Sequence, residues 1–252
     1  MSTPEAEATE REAAIGRALV YAFITHGLLF PTPESHESAR RNLVPLLRGV
    51  STGSATVDAL LADALDAHQT DLDELRRAHG RVFTHIDNQD CPAHESAYCP
   101  GDVFRRADVM ADVAAFYRAH GLQVGGRRRE RVDHITTELE FLSFLARKEA
   151  YAIENLGLDE INECRRSQRH FLRDHVGRWA PSFADRLQIV ADHHFFVTVG
   201  SLLSAWLETD LDWLGVEPAE LWTEPQSFPP PDDGLCGVDP GAAASTPVEL
   251  RS

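Results

Sequence analysis

Residues 84–101 read THIDNQDCPAHESAYCPG, and in them Cys91, His94 and Cys99 stand in the spacing C-x2-H-x4-C. Thiolate and imidazole are the ligands zinc prefers, so one reading is a small metal site. The spacing supplies three ligands with no fourth beside them, which favours the other reading, two ordinary thiols. A Cys91 to Cys99 disulfide is a further alternative, but four Cys in 252 residues do not make a dense secreted framework. Twelve His and 40 carboxylates also invite a di-iron bundle, whose signature sets Glu three residues before His on one helix face. No His in this chain has an acidic residue at that offset. For nucleophilic catalysis there is no G-x-S-x-G, and Ser96 sits in HESAY without a strand-turn-helix context. The phosphate-binding G-x-x-x-x-G-K-[ST] pattern is also missing. The basic turn GGRRRER at 125–131 could hold an anion ahead of a helix, with a solvated loop as the commoner explanation.

The elements that must position these residues are helical. Thr9 with Glu12 suggests a capping box, followed by Ile15, Leu19, Ala22 and Phe23 on one face before Pro31. Further helices are expected over about 36–48, kinked or shortened by Pro45, and around Val57 to Leu65 and Leu72 to Phe83. Residues 84–101 lack any period and form a long loop. Helix returns from Asp102 to His120, with Ala107, Met110, Ala111, Ala114 and Tyr117 inward and Gly121 as its stop. Asp133 fits an N-cap for a helix carrying Ile135, Leu139, Leu142 and Ala146. Another runs from Ile161 to Val176, and the apolar stretch from Ser182 to Glu208 is expected to be a central helix. No strand pattern competes. The spacing therefore predicts an all-α fold, a single helical domain of about nine to eleven helices over 1–217. Seven of the fourteen Pro fall in 218–252, read as a Pro-rich C-terminal tail, extended unless it packs on the helices.

Composition narrows the function classes. The formal charge is −16 at pH 7, with a pI near 5.1, which argues against non-specific nucleic-acid binding and against docking on anionic lipid. Of the 24 basic residues only Lys148 is Lys. Arg with excess acid is similar to proteins of salt-loaded cytoplasms, and the composition favours a halophile over the blander reading of a GC-rich genome. No apolar run reaches the ~20 residues of a membrane span, and the amino terminus is unlike a signal peptide, so a cytoplasmic protein is expected.

Two segments differ from generic helix and loop: CPAHESAYCPGDVFRRADVMADVAAFYRAHGL at 91–122 and ERVDHITTELEFLSFLARKEAYA at 130–152. In this order and spacing they resemble the TorD/DmsD/NarJ family of redox-enzyme maturation chaperones. The resemblance rests on Pro92, Glu95-Ser96-Ala97-Tyr98, Phe116-Tyr117, Gly121-Leu122, Asp133-His134 and Glu138-Leu139-Glu140-Phe141. It is nearest to the branch serving nitrate reductases and related oxidoreductases, where a Cys-Pro loop and a KEAYA-like helix end recur. Val132 departs from the family's usual Pro, and the Pro-rich tail is not a family element.

The resemblance implies a chaperone rather than an enzyme, with no cofactor and no metal of its own. It implies, as partners, the catalytic subunit of a molybdopterin oxidoreductase and its twin-arginine leader. The peptide-binding region it implies comprises Pro92, Glu95, Ser96, Tyr98, Asp133, His134, Glu138 and Phe141. There, carboxylates would meet leader arginines and aromatic rings its apolar stretch. Each residue has a structural alternative: Asp133 as a cap, His134 and Glu138 as an intrahelical pair, Tyr98 as a loop anchor. A monomer is expected, with a domain-swapped dimer as the family's alternative, and a weak nucleotide site ranks low without a P-loop.

Overall fold

The computed structural model describes residues 4–83, 90–125 and 131–226. Most of the tail, Cys236, the first part of the long loop and Arg127 to Arg129 of the basic turn lie outside the described residues. The described chain is all-α, as the periodicity predicts. Ten α-helical segments, fused by two π turns into eight continuous helices, carry it, and no strand occurs among the described residues. They are α1 (Pro4–Leu28), α2 (Pro33–Ser38), α3 (Val44–Leu47), α4 (Ala55–Ala67), α5 (Leu72–Phe83), α6 (Val103–Ala119), α7 (Ile135–Asn155), α8 (Leu158–Phe171), α9 (Gly177–Val190) and α10 (His194–Leu214). None of them is long and apolar enough to cross a membrane.

Helix α1 lies along α7 in the centre and buries most of its circumference, from Ala14, Arg17 and Ala18 to Tyr21, Phe23 and Ile24. Of the expected face Phe23 is buried and Leu19 and Ala22 are half-buried, but Ile15 is exposed, and Thr9 lies inside the helix with its hydroxyl donating to the Glu5 carbonyl. The capping box is instead at α2, where Thr32 and Ser35 satisfy each other's backbone N–H groups. On α6 only Val113 and Tyr117 are fully buried, and Ala107 and Ala111 face solvent. The expected central helix is two helices. The chain is extended at Ala191, and the His193 ring caps α10 by accepting from the Phe195 N–H.

The π turns Ala39–Leu43 and Leu172–Val176 mark where prolines enter the helices, ahead of Pro45 and Pro181. At the second, Gly177 is required, since a Cβ there would meet the Leu172 carbonyl oxygen at 2.5 Å. Gly200 lets α10 approach α9, where a Cβ would lie 3.0 Å from the Ala184 carbonyl oxygen. Beyond α10 the chain runs as a strap against α9, with the N–H groups of Ala219 and Trp222 donating to Arg173 and Arg178 carbonyls. Trp222 is buried beneath Arg178, and the Gln226 N–H reaches the Ala97 carbonyl at 2.8 Å.

Candidate functional site

The second half of the long loop folds onto the start of α7. Residues 93–95 run antiparallel to 133–135 for a single bridge, with Glu95 N–H donating to the Asp133 carbonyl and Ile135 N–H to the Ala93 carbonyl, both at 2.9 Å. The second bond satisfies one of the donors a helix start leaves open. His134 provides the cap, its Nδ1 accepting from the Thr136 N–H at 3.3 Å. Asp133 is therefore not the N-cap, and His134 makes its ring bond with Thr136 rather than with Glu138. The Asp133 carboxylate turns inward with no solvent exposure and accepts from the Ser96 N–H at 3.1 Å and from Arg131 Nε at 3.0 Å. Burial would raise its pKa, but the bonds from Arg131 and Ser96 outweigh burial and hold it below the usual range. Arg131 also donates to the Ser96 hydroxyl at 2.8 Å and is half exposed.

Glu95 and Glu138 are both fully buried. Glu95 faces His175 Nδ1 at 3.0 Å, and His175 Nε2 lies 3.5 Å from Asp112. Glu138 accepts from the Trp179 indole N–H at 3.0 Å. Its other oxygen, Oε1, finds no donor in the protein. Burial first, and then the neighbouring Glu95 charge, push Glu138 well above the usual carboxylate range, and burial raises Glu95 against the pull of His175. Two carboxyls so placed are comfortable only when a proton lies on one of them.

Tyr98 is fully buried with its ring 5.3 Å from Trp179, the loop anchor that the alternative reading described. Pro92 and His94 are half-buried. The Tyr117 hydroxyl donates to the Val132 carbonyl at 2.9 Å, a bond that a Pro at 132 would equally accept.

The thiols of Cys91 and Cys99 are buried and free, so no bridge joins them. Burial pushes the Cys91 thiol up to about 12 and lowers His94 to about 4. Among the described residues Cys91, His94 and Cys99 do not gather into a ligand set, which removes the local metal reading. Buried apolar surroundings disfavour the thiolate that zinc needs.

Of the predicted residues, Phe141 alone lines an open groove, although its own side chain is largely covered. It floors a groove of about 680 Å³ between the ends of α1 and α6, the start of α2 and the first turns of α7. Its ring packs edge-on against Tyr117 at 4.9 Å and Phe171 at 4.8 Å. Leu29, Phe30, Leu122, Val124 and Phe144 make the walls apolar, and exposed Glu140 and Arg147 supply one acid and one base at the rim. Leu29 and Phe30 lie far from the predicted segments in sequence, so no local spacing could disclose them. Glu140 falls inside the segment but on the opposite face from Glu138.

The fold is an all-α domain in which buried polar residues lock a loop to a helix, beside an open, mostly apolar groove. The family described as nitrate reductase delta subunit matches residues 48–185, more than half of the chain, and the protein belongs to that family. A perchlorate reductase assembly chaperone protein of Dechloromonas aromatica is 25% identical over 82% of this chain and 94% of its own length. A selenate reductase assembly chaperone protein of Thauera selenatis is 32% identical over 46% of this chain and 58% of its own. The chaperone protein TorD of Vibrio atlanticus is 25% identical over 72% and 84%.

Proposed function

We propose that this protein is a system-specific chaperone for the maturation of a redox enzyme and acts in the cytoplasm. Its client is the catalytic subunit of a molybdopterin oxidoreductase, of the nitrate or oxyanion reductase kind, bound through a twin-arginine leader before export. The names of its relatives are those of assembly chaperones for such reductases and not of catalysts, which supports a role in assembly rather than catalysis. The observation that carries the leader reading is the groove on Phe141: an apolar channel takes the leader's apolar stretch, and the chain's −16 charge favours its basic end. Of the three buried carboxylates expected to receive arginines, Asp133 is the one already paired with a half-exposed guanidinium, that of Arg131. Exchange of Arg131 for a leader arginine is the route by which it would take part. Glu95, Ser96, Tyr98 and Glu138 support the region from beneath, by holding the loop on α7.

The test is calorimetric titration of a synthetic leader from the neighbouring reductase gene. Leu29→Asp puts a charge into the groove at a 40% exposed position and should weaken binding more than tenfold, or about 1.4 kcal/mol. Leu158→Asp, at the 74% exposed start of α8, should leave it unchanged. Equal affinity of wild type and Leu29→Asp would move the site elsewhere, and no binding by wild type would end the leader reading.

A further inference from the structure

Three histidines on three separate elements converge at the corner where α1 meets α2 and α4. His26 comes from the last turn of α1, His36 from α2, and His68 is the residue that ends α4. Each offers a ring nitrogen, and the three atoms lie within 4.8 Å of one another. His26 Nε2 and His68 Nε2 are 3.1 Å apart. Two nitrogens on one zinc at 2.0–2.1 Å in a tetrahedron are separated by about 3.3 Å, so this pair already stands near ligating distance. A cavity of about 10 Å³, the room one water or ion needs, lies against all three rings and is closed by Gly27, Pro31 and Phe195.

The polar accounting points the same way. His68 is 1% exposed, and His36 is 7% exposed with its Nδ1 buried and without a hydrogen-bond partner. A corner that only needed filling would be served better by apolar rings, because each unpartnered buried polar atom is costly. Phe23 and Phe195 already pack on His68, which shows that aromatic side chains fit there.

We propose that His26, His36 and His68 form a transition-metal site, for which Zn²⁺ is the fitting ion. Three neutral imidazoles leave a fourth position for water, and imidazole is a ligand that zinc, copper and nickel share. Of the charges facing the cluster, Arg40 opposes a cation, while Glu37 and Asp71 favour it. The ion would pin α2 and α4 to the end of α1, on the far side of Leu29 from the groove. The proposal is independent of what the groove binds.

The test uses the full chain without a histidine tag, stripped by chelator and titrated with zinc sulfate by calorimetry, and with Co²⁺ followed by visible absorption. One Zn²⁺ per chain is expected, with a rise in melting temperature on zinc addition. His26→Gln, at a half-buried position, should weaken uptake more than a hundredfold and abolish the zinc-dependent rise. Cys91→Ser should change neither. His68→Asn should behave as His26→Gln; if it fails to fold, His26→Gln decides. No stoichiometric uptake at micromolar zinc, or uptake that His26→Gln leaves unchanged, would overturn the site.

Discussion

Glu138 Oε1 gains a hydrogen-bond partner only when it or Glu95 carries a proton, and that gives the pair a predictable effect on stability. Both carboxyls have raised folded-state pKa values, so the folded protein holds a proton over a pH range in which the unfolded chain has released it. The resulting stability is fully present below the unfolded carboxylate pKa and is lost as pH rises toward the folded value. Glu138→Gln keeps an acceptor for Trp179 and offers Glu95 a permanent N–H donor. It should be more stable than wild type by roughly 1 kcal/mol at pH 8, with the advantage shrinking toward pH 5, in urea denaturation at both values. Identical pH slopes for the two proteins would rule out the shared proton. Asp133 behaves oppositely: its lowered pKa contributes stability above the unfolded value that disappears as pH falls. Because His134 is the cap, Asp133→Asn is no silent change of charge. It breaks the bond pair with Arg131 and Ser96. The sequence placed Glu95, Ser96, Tyr98, Asp133 and Glu138 together, but not their depth. His175 and Trp179, which supply their partners, come from the far end of the chain with no spacing to announce them.

At the scale of the helices, the largest departure from expectation is α1, and its cause is Arg17. This guanidinium, 5% exposed, meets Asp210 of α10, Glu149 of α7 at 3.1 Å and Gln168 of α8 at 2.6 Å. Tyr21 donates to the same Asp210 at 2.6 Å, and Arg165 to Glu149 at 2.6 Å. Burial works against the Arg17 charge, yet Asp210, Tyr21 and Glu149 together outweigh it and raise the pKa. A period that counts only apolar residues assigns the charge at position 17 to the water face, so the buried side of α1 around Arg17 is invisible to it. Glu149 was visible only as part of the KEAYA-like helix end. Removing one partner from such a network leaves the others buried and unpaired, so Arg17→Met should cost ~3–5 kcal/mol in denaturant titration. A loss under ~1 kcal/mol would mean that the network is solvated. The break between α9 and α10 was legible in retrospect: Asp192-His193 repeats the Asp133-His134 pair, and in both the histidine caps the helix that follows.

For the molecule as a whole, the −16 charge sets a dependence on salt. Like charges spread over one surface repel, and the Debye length falls from ~10 Å at 0.1 M to ~3 Å at 1 M salt. Thermal melting should therefore rise by ~5 °C or more between low salt and 1 M sodium chloride, as expected of a salt-adapted protein. A flat profile would leave the Arg-rich, acidic composition to codon usage. The all-α architecture was legible throughout because amphipathic periods are local. The groove and the histidine corner were not, since each is assembled from residues that only tertiary packing brings together.

The strap has a consequence in the order of synthesis. A chain leaves the ribosome amino end first, and α1 must wait for Asp210, 193 residues later than Arg17, before its buried charge is matched. The loop around Ala97 waits longer still, for the Gln226 N–H. A half-made copy thus holds neither its central helix nor its loop in the final arrangement. The final arrangement arrives late and as a unit.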